Sequence, residues 1–260
     1  MKRIQLSLLT LAVLTLSHCG KNYEDLFKRG QEARLAGQWS KAKEALFEAV
    51  KLKETAEVYK ELGNVYLLGE EKIPEAEQYY AKALTIDPNY INAQFNMGVI
   101  AIKKFEHSLN DKGKGDEALL KQANEWFEKV YRQNPNFNTG IEEYAKYHFY
   151  KKDFKKALEI VQRAIAFNSR NADAYSILGQ IYFSGLKDYK QAFEQFDQAR
   201  SLKSDDTDTI FFLWAASEKL KKTADANQYK ARYEQMMHTK GHSTEQIKDH
   251  IRHLENQLKL

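Results

Sequence analysis

The sequence predicts an all-α fold, a solenoid of about six helix-turn-helix units closed by a C-terminal helix. Three observations carry this. Small residues recur at Gly30, Gly63, Gly98, Ala145 and Gly179, with most neighbours 33 to 35 residues apart. An alanine follows most of them after 12 or 13 residues (Ala42, Ala76, Ala157, Ala192), and another comes seven residues later (Ala49, Ala83, Ala164, Ala199). Large apolar residues occupy helical spacings between these marks, as in Tyr59, Leu62, Tyr66 and Tyr80. Two antiparallel helices cross closely only where Gly or Ala sits at the contact, with bulky knobs on adjacent turns filling the grooves. Each pair leaves an apolar flank that the next pair must cover, so the units stack.

Composition agrees. The 260 residues are 43% hydrophobic and 29% charged, with 3 prolines and 12 glycines, too few for linker-rich or low-complexity sequence. Forty basic against 36 acidic residues leave a formal charge of +4, a poor footprint for nucleic acid. One cysteine excludes an internal disulfide framework and a CxxC-type zinc site.

In chain order, the first segment reads as an export signal. Met1-Lys2-Arg3 is basic, and Ile4 to Leu16 is uncharged and mostly apolar, shorter than the roughly 20 residues a membrane-spanning helix needs. The run ends in Leu16-Ser17-His18-Cys19-Gly20. Leu16, Ser17 and Cys19 resemble the lipobox of bacterial lipoproteins, from which His18 departs. The resemblance implies a cleaved signal at 1–18, lipid of the palmitate type on Cys19 and a linker at 19–22. It also implies export and anchoring to the cell envelope, expected at the outer membrane facing the periplasm. Loss of Lys2 and Arg3 would leave 38 basic against 36 acidic residues.

Six repeats follow, at 23–55, 56–90, 91–137, 138–171, 172–206 and about 207–240. Val58, Tyr59, Leu62, Gly63 and Tyr66, followed by Ala76, Tyr80, Ala83 and Pro88, resemble the tetratricopeptide repeat signature W-x2-L-G-x2-Y, A-x3-F-x2-A and a late proline. Tyr175, Leu178, Gly179, Tyr182, Ala192, Phe196 and Ala199 form a second match. The resemblance implies a right-handed α-solenoid. Repeat three carries an insertion at about 105–119, expected to lengthen one helix and add a loop at Asn-Asp-Lys-Gly-Lys-Gly, 110–115. Repeat six has Trp214 or Ala215 at the close-packing position. From Ser243 a capping box opens a last helix, 243–260, with Ile247, Ile251, Leu254 and Leu258 along one face to cover the final flank.

No GxxxxGK[ST], HExxH or GxSxG motif is present, so neither an enzyme nor a cofactor is expected. His238, His242, His250 and His253 gather near the end, the basis of a weaker reading as a periplasmic metal- or ligand-binding protein. The resemblance implies instead a protein-binding scaffold, in which the first helix of each repeat lines a concave groove for peptide segments. Its positions map to Lys60, Asn64, Phe95, Asn96, Phe149, Gln180 and Phe183. The three phenylalanines are expected as partly exposed anchors, and the amides as partners for a bound backbone. Charges in the groove are expected to be mixed, Lys60 and Lys146 against Glu57, Glu142 and Asp173. A carboxylate clamp of the chaperone-binding type is matched by Lys60, Asn64 and Asn96 but not by Thr139 and Glu143 of the next repeat. The architecture resembles that of lipoproteins assisting outer-membrane machinery, including pilotins of pilus secretins. An adaptor for cell-wall enzymes is the alternative. Either way the expected partners are envelope proteins and, through Cys19, the membrane.

Overall fold

A computed structural model describes residues 22–258; the export signal and Cys19 lie outside the described residues. Among these there are thirteen α-helices and no strand. They are α1 (Tyr23–Leu35), α2 (Trp39–Leu52), α3 (Ala56–Gly69), α4 (Ile73–Ile86), α5 (Ile91–Lys112), α6 (Glu117–Gln133) and α7 (Glu142–Tyr150). After them come α8 (Phe154–Phe167), α9 (Ala172–Gln180), α10 (Tyr189–Leu202), α11 (Thr207–Lys219), α12 (Thr223–Thr239) and α13 (Thr244–Leu258). A π-helical turn, Ile181–Leu186, extends α9. Odd- and even-numbered helices alternate as the first and second members of six pairs.

Local chemistry sets the helix starts. The side chains of Asn22, Thr55, Asp153, Asn171, Asp188 and Asp206 each accept a hydrogen bond from the backbone N–H three residues on, satisfying a donor the first turn would leave unpaired. The turn inside each pair passes through one left-handed residue: Gly37, Glu71, Gly113, Lys152, Lys187 and Lys221.

Packing follows the small–large complementarity. A Cβ on Gly63 would sit 2.4 Å from the ring of Tyr80, one on Gly98 2.6 Å from Phe127, and one on Gly179 2.6 Å from Phe196. A second row, not anticipated from sequence, joins neighbouring repeats. Gly69 closes α3 against Trp39 of α2, and Gly185 sits against Phe154 of α8, each with room for no added carbon.

Two expectations change. The insertion lengthens both helices of its repeat, to 22 and 17 residues, against 14 each in repeat two. Helix α5 continues to Lys112, and Gly113, with φ of 65°, stops it. The added turn carries Phe105 into the core, 5.0 Å from the ring of Tyr150 and tight against Gly115. In repeat six the complementarity is inverted. Trp214, 1% exposed, takes the register position held elsewhere by glycine or alanine. Across from it stands Lys230 where other repeats place a large apolar residue, its ammonium 4.8 Å from the indole centroid. The large ring at this crossing comes from the first helix of the pair instead of the second.

Helix α13 closes the stack. Ser243 N donates to Gln246 Oε1 (2.8 Å) and Gln246 N to Ser243 Oγ (3.3 Å), the reciprocal pair of a capping box. Ile247 and Ile251 are buried in one cluster with Phe211, Trp214, Tyr233 and Met237. No helix among the described residues is long and apolar enough to cross a membrane.

Between α7 and α8, His148 is wedged edge-on between Tyr144 and Tyr147, centroids 4.8 and 4.9 Å away. Its Nδ1 lies 3.5 Å from Asp153, while Nε2 is enclosed without a hydrogen-bond partner. Burial, against the pull of Asp153, holds the imidazole below its ordinary 6.5. The unfolded chain therefore binds this proton more readily, so the contribution is full at pH 7.5 and is lost as pH falls from about 6.5 through the folded value. Urea midpoints at pH 7.5 and 5.5 should show a drop in wild type that is smaller in His148→Gln; equal drops would sever the link.

Candidate functional site

The first helices of repeats two to six face one concave surface, enclosing a groove of about 480 Å³. Its apolar wall is Leu67, Leu68, Val99 and Ile177, with the edge of Phe95; Leu68 is 57% exposed and offers the free apolar surface. Asn64, Asn96, Ser176 and Gln180 add polar groups, and the far end holds carboxylates.

The amides are braced from behind. Asn64 Oδ1 accepts from Tyr80 Oη (2.9 Å) and from Asn96 Nδ2 (3.1 Å), and Asn64 Nδ2 donates to Glu61 Oε2 (3.3 Å). Glu61, with a side chain only 2% exposed, also accepts from Arg34 Nε (2.6 Å), Gln31 Nε2 (3.2 Å) and Lys60 Nζ (2.5 Å). Burial opposes its charge, but Lys60 and Arg34 outweigh that and hold the carboxyl below the usual range. This buried anion was not singled out in the sequence, where it is one glutamate among many; its neighbours reveal it.

Of the predicted groove residues, Asn64, Phe95, Asn96 and Gln180 line the cavity, whereas Lys60, Phe149 and Phe183 do not. Lys60 is turned onto Glu61. The expectation of partly exposed phenylalanine anchors in the groove is corrected: Phe95 and Phe183 are buried, and Phe149, though partly exposed, lies outside the cavity. Phe95 is 4% exposed, packed 5.2 Å from Phe127 and 5.1 Å from Phe137. Phe183 is 3% exposed, against Tyr189 and Phe212. Phe149 is half-buried beside Tyr150 and Phe154. A first helix packs on its own partner and on both neighbouring repeats, so the stripe left for the groove is narrower than a full helix face.

The expected balance of charge is corrected too. Five carboxylates line the groove, Glu142, Glu143, Asp173, Asp206 and Asp208, against the ammonium groups of Lys103 and Lys146. Burial pushes the carboxyls of Glu142 and Asp208 above their ordinary values, and neighbouring Glu143 and Asp206 add to it. Lys146 is held charged: burial works against it, but Glu143 (3.2 Å) and Glu106 (3.7 Å) prevail. Sequence reasoning missed Asp206 and Asp208 because repeat six looked degraded. Yet Asp208 is the second residue of its helix, as Glu57 is of α3 and Asp173 of α9, and the register could have found it.

Residues 27–91 match a family model described as tetratricopeptide repeat. The chain contains tetratricopeptide repeats. A second model, described as anaphase-promoting complex, cyclosome, subunit 3, matches residues 116–199. Among curated proteins the chain is similar to Hsp70-Hsp90 organizing protein 3 of Arabidopsis thaliana, 25% identical over 173 residues. That match covers 62% of this chain but 28% of the relative's length. Among solved structures it is similar to a thermophilic tetratricopeptide protein of Thermus thermophilus (TM-score 0.61, 17% identity, 75% of this chain and 98% of that one). It is equally similar to PilW, a widely conserved type IV pilus biogenesis factor (TM-score 0.61, 15% identity, 86% and 96%). At such identities the likeness is one of fold.

Among the described residues no three histidine, cysteine or carboxylate side chains come together in a group that could hold a metal ion. His250 Nδ1 instead lies 3.2 Å from Tyr233 Oη under α13, a packing contact.

Proposed function

We propose that this protein is a lipid-anchored scaffold of the cell envelope that holds a segment of a protein partner in its concave groove and supports assembly of outer-membrane machinery. The groove supports this reading: it runs across five repeats and exposes Leu68 beside braced amides. The similarity in fold to PilW fits the reading. So does the position of the first described helix. Asn22 Oδ1 caps α1 at 2.7 Å, three residues after Cys19, and three extended residues reach only about 10 Å. A lipid on Cys19 would hold the first repeat against the bilayer.

Cys19→Ala should release the mature protein into the soluble fraction or leave it uncleaved, because stable attachment needs several acyl chains at that residue. A variant that stays in the membrane with its signal removed would end the lipid-anchor reading. Capture from envelope extract should yield a partner with wild type and lose it with Leu68→Arg.

A further inference from the structure

We infer that the segment bound in the groove is cationic, a stretch of chain that sets an apolar side chain against Leu68 and lysine or arginine against the acidic end. The inference rests on the groove being the binding surface. Repeats two and three supply most of the apolar wall with Asn64 and Asn96, joined by Ile177 and Gln180 of repeat five; repeats four to six supply Glu142, Glu143, Asp173, Asp206 and Asp208. Helix starts account for acidic residues in these first turns, where the helix dipole favours them. They do not account for three helices aiming such residues into one cavity with so few cations between them.

Two of the nearby cations are already engaged, and Lys103 is the other ammonium lining the groove. Lys146 is shared by Glu143 and Glu106, and Lys203, half exposed, stands 3.8 Å from both Asp173 and Asp206 at the rim. Glu143 keeps one oxygen, Oε2, enclosed with no hydrogen-bond partner. Glu142 and Asp208 have no ion-pair partner within 4 Å among the described residues, and their burial makes the charge costly until a cation arrives. All of this sits in a chain whose formal charge is +4, so the negative field belongs to the groove and not to the whole surface. The carboxylates are also strung along the groove: among the described residues no three come together in a group that could hold a metal ion. Their complement is therefore a chain with spaced cations, since a single ion would reach only part of the set. Arginine suits best, because its planar fork takes carboxylates in pairs. A partner ending in a free carboxylate would be repelled here.

The test is selection of a random twelve-residue peptide library on the full-length protein, followed by titration of the selected synthetic peptides. Peptides rich in lysine and arginine should emerge and bind more weakly as salt rises. The triple variant Glu142→Gln, Asp173→Asn, Asp208→Asn should lose at least tenfold in affinity, and Leu68→Arg should lose binding as well. If the triple variant loses helical content, Asp173→Asn alone, at a side chain 68% exposed, should still cost about threefold. Neutral or acidic peptides that bind wild type and are lost with Leu68→Arg would overturn the cationic inference and leave the groove reading standing. No selected peptide, or peptides indifferent to both sets of changes, would overturn both.

Discussion

Gly63→Leu is expected to unfold the second repeat's crossing and lower the melting temperature by roughly 6–12 °C. A first carbon at this position already falls 2.4 Å from the ring of Tyr80, and three more follow it. Tyr80 cannot yield. Its ring is fully buried, and its hydroxyl donates to Asn64 at 2.9 Å, so moving it also unbraces the amides of the groove. Overpacking of this kind costs about 1–3 kcal/mol in a core with some slack, and the upper end or beyond applies where the obstructing group is an enclosed aromatic ring. In a chain of this size each kcal/mol shifts the melting point by about 2–4 °C. Gly179→Leu against Phe196 should behave alike. The control is Lys114→Leu on the exposed tip of the insertion, expected within about 0.5 kcal/mol of wild type. The tip's glycines are unsuitable controls, since Gly113 has φ of 65° and a Cβ on Gly115 would meet Phe105 at 2.1 Å. Thermal melts followed by circular dichroism decide it; equal melting points for Gly63→Leu and wild type would undo the crossing geometry.

Trp214→Gly should cost about 3–5 kcal/mol, the range for deleting a large buried aromatic side chain. The indole fills the crossing of α11 and α12, touches Phe211 and Tyr233, and donates to Glu218 at 3.3 Å. The inverted pair makes a sharper test. If the sixth repeat obeys the same volume rule as the others, then Trp214→Gly combined with Lys230→Phe rebuilds the arrangement of Gly179 and Phe196. The double variant should recover at least 1 kcal/mol relative to Trp214→Gly alone, a coupling within the range for residues in contact. Additive losses in the cycle would mean that Trp214 serves the α13 interface and not the crossing.

The groove was legible in part. Asn64, Phe95, Asn96 and Gln180 could be placed in the cavity from the groove positions that the tetratricopeptide resemblance implies, although the same mapping also put Lys60, Phe149 and Phe183 there. Exposure could not be read so. Phe95 and Phe183 occupy groove-side positions yet are covered by Phe137 and Phe212, residues 42 and 29 positions further on. Lys60 could be assigned to the right helix, but whether it reaches solvent or Glu61 depends on Arg34 and Gln31 in the preceding repeat.

What the sequence determined by itself is everything written in local spacing: the pairing of helices, their starts at capping side chains, the capping box at Ser243 and Gln246, and the glycine crossings against Tyr80 and Phe196. These depend on residues within one repeat, where the short chain between two helices fixes their contact. What only the tertiary structure decided depends on neighbours from other repeats. It turned Trp214 and Lys230 into an inverted pair, extended α5 and α6 together around Phe105, buried Glu61 among donors from two repeats, and gathered acidic first turns from three helices into one cavity. The physical reason is that burial and electric field are sums over all surrounding atoms, and in a stacked solenoid half of those atoms belong to the next unit.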